Sequence, residues 1–174
     1  VSLDPIGEDS WPDELADMSQ SFAAKLNVYR TMAHHPALVR AWADLRAHVV
    51  LNNVLGDEFS EIVILRIGHH WNSIYEWTHH VVRGRAVGLS DARIESMRGA
   101  PANMAAKDRV LAEAVDALLT SGRLPRAQHA PLIAAVGEKG VLDIMATIGM
   151  YTTLAFIVNS FETPIDDNIA PKVT

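Results

Sequence analysis

Apolar residues recur at helical spacing through nearly every segment of this chain, and glycine or proline stands where the spacing breaks. Phe22, Leu26, Tyr29 and Met32 form one such stripe across 21–33, which His34-His35-Pro36 interrupts. Pro36 suits the first turn of the next helix, where a missing N–H costs nothing. That helix carries Leu38, Trp42, Leu45, Val49 and Val50 to about Val54, and Gly56-Asp57 ends it. A third runs from Asp57 or Ser60 to about Trp71, although its β-branched run Ile62-Val63-Ile64 would also suit a strand. Further helices are predicted over 74–87, closed by Gly88, over 91–98, stopped by Gly99-Ala100-Pro101, and over 105–121, closed by Gly122. Segments 125–136 and 139–161 supply the last two. No alternating run with a hairpin turn interrupts this pattern. The expectation is an all-α bundle of about seven to eight helices in a single domain, 1–174. Residues 1–20 are expected to form an arm and a short helix capped by Ser10, and 164–174 a loose tail.

Composition narrows what such a bundle can do. With 49% apolar and 21% charged residues in 174, the chain reads as soluble and globular. A net charge of −6 argues against nucleic acid or an anionic membrane surface as partner. The most apolar stretch, 141–161, is interrupted by Asp143 and Asn159, which suits a core helix better than a membrane span. No basic and apolar leader opens the sequence, so a cytoplasmic location is expected. There is no cysteine. Disulfides, thiolate metal sites and thiol nucleophiles are therefore excluded, and chemistry must run on carboxylates, histidines and hydroxyls.

The histidines are concentrated in three adjacent pairs, 34–35, 69–70 and 79–80. The third lies in Tyr75-Glu76-Trp77-Thr78-His79-His80. Residues four apart are neighbours on a helix, so Glu76 and His80 share a face. A carboxylate beside an imidazole fixes its tautomer, the basic need of general acid–base work near neutral pH. The same spacing also describes a half-buried structural pair, and a mononuclear metal site drawn from His69, His70, His79 or His80 stays open. Glu76 and His79 match half of a di-iron pattern, but no second Glu-x-x-His exists to complete it. Arg30, one turn before His34-His35, could bind a substrate carboxylate or pair with a surface acid.

Four blocks resemble the carboxymuconolactone decarboxylase family, which includes the AhpD-like alkylhydroperoxidases. They are Asn27-Val28-Tyr29-Arg30-Thr31-Met32-Ala33-His34-His35-Pro36, Glu61-Ile62-Val63-Ile64-Leu65-Arg66, Tyr75-Glu76-Trp77-Thr78-His79-His80 and Ala86-Val87-Gly88-Leu89-Ser90. The peroxidase branch carries a Glu, then twelve residues later Cys-x-x-Cys, then a His four beyond. Here Glu61 and His80 match the Glu and the His, while Ser73 and Glu76 stand where the two cysteines would be. A thiol peroxidase is thereby excluded. The Glu within Tyr-Glu-Trp-x-His-His resembles the decarboxylase branch.

The resemblance implies an AhpD-like bundle and a cofactor-free lyase, acting on a small unsaturated or lactone carboxylic acid and bound in a trimer or hexamer. His80 would be proton donor or base, Glu76 its partner or second acid, and Glu61 a relay. Ser73, His79, Trp77 and Arg30 would contact substrate. No metal and no cofactor are expected. Isomerisation, hydration or lactone opening at the same centre, or a silent helical binding protein, are the alternatives.

Overall fold

Eight α-helices follow one another in the computed structural model, which describes residues 2–169: α1 (Phe22–Lys25), α2 (Asn27–Met32), α3 (Pro36–Ala47), α4 (Asp57–His70), α5 (Ile74–Ala86), α6 (Asp91–Ser96), α7 (Ala106–Ser121) and α8 (Arg126–Ser160). No strand occurs among the described residues. The all-α expectation holds, and Ile62-Val63-Ile64 is helical.

Helix α4 is the axis of the bundle. Every residue from Ser60 to Gly68 on it is buried, and α5, α7 and α8 pack around it. A helix apolar on all faces can only sit inside others. Its β-branched residues lose little there, because packing outweighs their modest helix preference. Two charged residues ride on this buried helix. Arg66 is satisfied by both oxygens of Asp116, at 2.7 and 2.6 Å, and by the carbonyls of Met97 and Gly99. Glu61, at the other end, turns towards α5.

Gly68 lets α4 and α5 close. A Cβ there would stand 3.3 Å from the backbone nitrogen of Trp77 and 3.4 Å from Cβ of Glu76. Between the two helices Asn72 takes a left-handed conformation, φ 50°, and Ser73 caps α5.

Several expected boundaries moved. The predicted helix 21–33 is two short helices, because Leu26 is extended (φ −122°, ψ 135°). The N–H of Asn27, at the start of α2, donates instead to Asp166 from the far end of the chain, at 2.9 Å. The two predicted C-terminal helices form one element bent at Gly137, whose φ of 72° favours glycine. Helix α3 ends in a π turn, His48–Asn52, where buried Asp143 accepts from His48 and from the N–H of Val54, each at 2.7 Å. Near the N-terminus the short helix is a 3₁₀ element, Asp13–Met18, preceded by Pro12 and with no side-chain cap from Ser10.

The tail expectation is corrected for 164–169. Asp166 is only 6% exposed and is held by α2 and α5. The segment is anchored because its carboxylate finds three donors in the bundle. The remainder of the expected tail, 170–174, lies outside the described residues.

Candidate active site

Helix α5 begins with the Ser73 hydroxyl accepting from the N–H of Glu76 at 3.3 Å. The helix then packs on α4 and α8, and every residue from Tyr75 to Val81 is buried, Glu76, His79 and His80 among them. His80 Nδ1 donates to Glu61 Oε2 at 2.6 Å across the α4–α5 seam. That bond leaves the lone pair of the neutral ring on Nε2, which faces Glu76 Oε2 at 3.6 Å. Tyr151 of α8 meets the ring edge-on, 5.1 Å between centroids. Burial lowers the His80 pKa, against the pull of Glu61 in the other direction.

Glu76 is the unusual member. It is 3% exposed, and its Oε1 has no hydrogen-bond partner among the described residues. Burial pushes its carboxyl up to about 8; Arg83 pulls downwards and Glu61 adds to the rise. A buried carboxylate without partners costs too much to stay ionised, so the acid keeps its proton at neutral pH. Glu76, His80 and Glu61, the three residues expected to carry chemistry, thus stand in one chain.

Two cavities flank this chain. The smaller, about 20 Å³, is bordered by Tyr29, Arg46, Glu76, His80, Arg83 and Tyr151. The larger, about 220 Å³, lies on the Glu61 side. Val50, Arg83 and Tyr151 border both.

The four residues expected to touch substrate are placed differently. His79 borders the small cavity, but both its nitrogens are committed: Nδ1 donates to the carbonyl of Tyr75 and Nε2 bonds Asp166 Oδ2, each at 2.8 Å. The Tyr75 ring stacks on it at 4.1 Å. Ser73 spends its hydroxyl on capping and faces a separate open groove. Trp77 borders that same groove, beneath the Arg98 guanidinium at 4.1 Å. Arg30 bonds the carbonyl of Ile6 at 2.7 Å, on the N-terminal arm. Helix geometry explains the first three, since neighbours in sequence leave α5 in different directions.

Sequence reasoning missed Arg46, Arg83, Tyr29, Tyr151 and Asp166. Arg83 could have been found, because it follows Glu76 by two helical turns and its side chain leans back towards that residue. The others come from distant elements with no local signal. Among the described residues, no group of three or more His, Asp or Glu side chains is arranged to hold a metal ion.

No family model matches the chain, and no curated protein is detectably similar to it in sequence. Solved structures do resemble it. An uncharacterised peroxidase-related protein from Silicibacter sp. TM1040 superposes with a TM-score of 0.76 at 14% identity, over 91% of this chain and 88% of its own. The debrominase Bmp8, in a variant bound to 2,3,4-tribromopyrrole, gives 0.77 at 15% identity, over 99% and 97%. A protein of unknown function from Agrobacterium tumefaciens, assigned provisionally to antioxidant defence as AhpD, gives 0.68 at 22% identity, over 76% and 92%. The fold is AhpD-like.

Proposed function

We propose that the protein is a cofactor-independent acid–base enzyme whose centre is Glu61–His80–Glu76, and that it decarboxylates a small unsaturated or lactone carboxylic acid. One observation carries the reading. Glu76 is a buried carboxylic acid with a pKa near 8; its Oε1 has no partner among the described residues and its Oε2 faces the lone pair of a neutral imidazole. Such a group is an acid at neutral pH, poised for proton transfer. The four blocks resembling carboxymuconolactone decarboxylases support the choice of reaction. A fold neighbour that holds a small brominated pyrrole supports a small organic substrate.

The step balances without a redox partner. The bond from the substrate's carboxylate carbon to its neighbour breaks, and carbon dioxide leaves. The electron pair passes to that neighbouring carbon and into the conjugated carbonyl. Glu76 donates its proton to the carbon, and a proton taken up from water at His80 Nε2 then passes to the resulting carboxylate. Glu61, hydrogen-bonded to Nδ1, steadies the ring as it takes up charge.

A second reading shares the centre. Because an acid and a base face each other at 3.6 Å, proton removal at one carbon and return at another would serve an isomerase. A panel of unsaturated and lactone acids, followed by release of carbon dioxide, tests the choice. Release that Glu76→Gln abolishes is expected. Rearranged product without carbon dioxide moves the assignment to isomerisation.

A cytoplasmic homo-oligomer is part of the proposal. Leu142 and Phe156 on α8 and Ile74 at the start of α5 are exposed apolar residues, which a second copy would cover. Light scattering that gives a monomer removes it.

A further inference from the structure

The two arginines at the small cavity differ from the other shielded arginines of the bundle. Arg66 is held by Asp116, Arg93 by Asp108, and Arg30 by a backbone carbonyl. Arg46 and Arg83 come from α3 and α5, are partly buried, and form no ion pair among the described residues. Arg46 stacks on the Phe22 ring at 4.3 Å, and its Nε is buried without an acceptor. Glu76 is the one acid among the residues bordering this cavity, and its Oε1 is likewise unpartnered. Two arginines without ion pairs and a glutamic acid with one unpartnered oxygen therefore border a single space. One donor, Arg46 Nε, and one carboxyl oxygen, Glu76 Oε1, are thus buried without partners among the described residues, which is costly unless something fills the site.

The size of that space defines what fits. About 20 Å³ takes one small polar group and no more, since a water needs roughly 10–15 Å³ measured in this way. A whole substrate is excluded, but its head group is not. Beyond Val50, Arg83 and Tyr151 lies the chamber of about 220 Å³. Val49, Ile64 and Val87 line it, and Asp57, Ser60 and Glu61 give it one polar side.

We propose that Arg46 and Arg83 form the seat for the substrate's carboxylate, with the acid's compact, mainly apolar body lying past Arg83 in the larger chamber. Guanidinium forks match carboxylate geometry, and in a shielded site each such bond is strong. The seat fixes polarity as well as affinity, because it brings the carboxylate against Glu76, the proposed proton donor. It selects small monocarboxylic acids over their amides and esters. This deepens the decarboxylase reading and rests on it for the identity of the anion as substrate.

The test needs no substrate. Calorimetric titration of the full chain with formate, the smallest carboxylate, is compared with formamide, its neutral counterpart, in low-chloride buffer at pH 6.5. The expected result is one formate per chain and no measurable formamide binding. Arg46→Gln and Arg83→Gln should each weaken formate at least tenfold, while Arg98→Gln, outside the cavity, leaves it unchanged. In the unaltered protein, formate should also shift the side-chain carboxyl carbon resonance of Glu76, which covers the case of an arginine variant that does not fold. Equal binding of formate and formamide, binding that both arginine variants retain, or no shift at Glu76 overturns the seat. Formate bound as expected, with no acid decarboxylated, leaves the seat standing and removes the reaction. An acid decarboxylated without competition from formate removes the seat and leaves the reaction.

Discussion

His79 and His80 leave the same turn of α5 about 100° apart, and the two imidazoles enter different kinds of network. Around His79 every group is answered. Its nitrogens meet the Tyr75 carbonyl and Asp166; the Tyr75 hydroxyl donates to Asp166 at 2.5 Å, and Asp166 accepts again from the Asn27 N–H. Around His80 the network is incomplete. One nitrogen is fixed by Glu61, the other faces Glu76 beyond hydrogen-bond reach, and Glu76 Oε1 has no hydrogen-bond partner among the described residues. A fully satisfied buried network holds chain segments together, here the C-terminal segment against α2 and α5. An unsatisfied one carries an uncompensated cost of burial, and here it holds a proton on Glu76 at neutral pH, as the proposed reaction needs.

The largest effect expected from breaking this contrast is on the His80 side. Glu76→Gln should cut the proposed decarboxylation by about 10²-fold or more, the usual worth of a positioned acid, with the fold intact. Single-turnover assays of the variant check this. Its stability should change in the opposite sense. The folded pKa of Glu76, about 8, lies above the ordinary 4.5, so the unfolded chain gives up this proton first as pH rises. Stability therefore falls between those two values and levels off above them. The Gln variant should melt higher than the parent at pH 8 and together with it near pH 4.5. Turnover of the parent should decline above pH 8, as the acid loses its proton.

On the His79 side the loss is one of stability. Asp166→Ala should cost about 2–3 kcal/mol in urea unfolding at pH 7, the scale of hydrogen bonds to a charged group. Burial alone would raise the Asp166 carboxyl, but the bonds from His79, Tyr75 and the Asn27 N–H outweigh it, and it titrates below its ordinary value of 3.8. Its contribution is thus present above that value and disappears as pH falls through the lowered one. Parent and variant should converge in acid. A variant that loses turnover as severely as Glu76→Gln, without losing stability, would erase the distinction between the two networks.

The smallest effect belongs to Ser73. As a helix cap its change to alanine should cost about 1 kcal/mol of stability. Turnover should stay within a few-fold of the parent. A hundredfold loss would return Ser73 to the substrate.

Helix boundaries show where local reading succeeds and where it stops. Gly88 and Gly122 close helices as their positions predict, and the bend at Gly137 falls between the two helices expected there. The break at Leu26 and the π turn at His48–Asn52 carry no such mark. At each, a distant acid, Asp166 or Asp143, takes the N–H or imidazole that regular helix would have left elsewhere.

The site divides in the same way. Spacing along one helix placed Glu76 beside His80, and the resemblance to a cysteine-bearing pattern added Glu61. It also made His79, Trp77 and Ser73 look like partners, because adjacency in sequence does not reveal direction around a helix axis.

By itself, the sequence determined an all-α bundle, the absence of thiol chemistry and the Glu76–His80 pair, since periodicity, composition and four-residue spacing are local properties of the chain. Only the tertiary structure decided which histidine is locked and which is poised, and that Arg46, Arg83 and Tyr151 share a cavity with Glu76. Those relations join α3, α5, α8 and the C-terminal segment. They exist only once burial in the bundle has removed water as the competing partner.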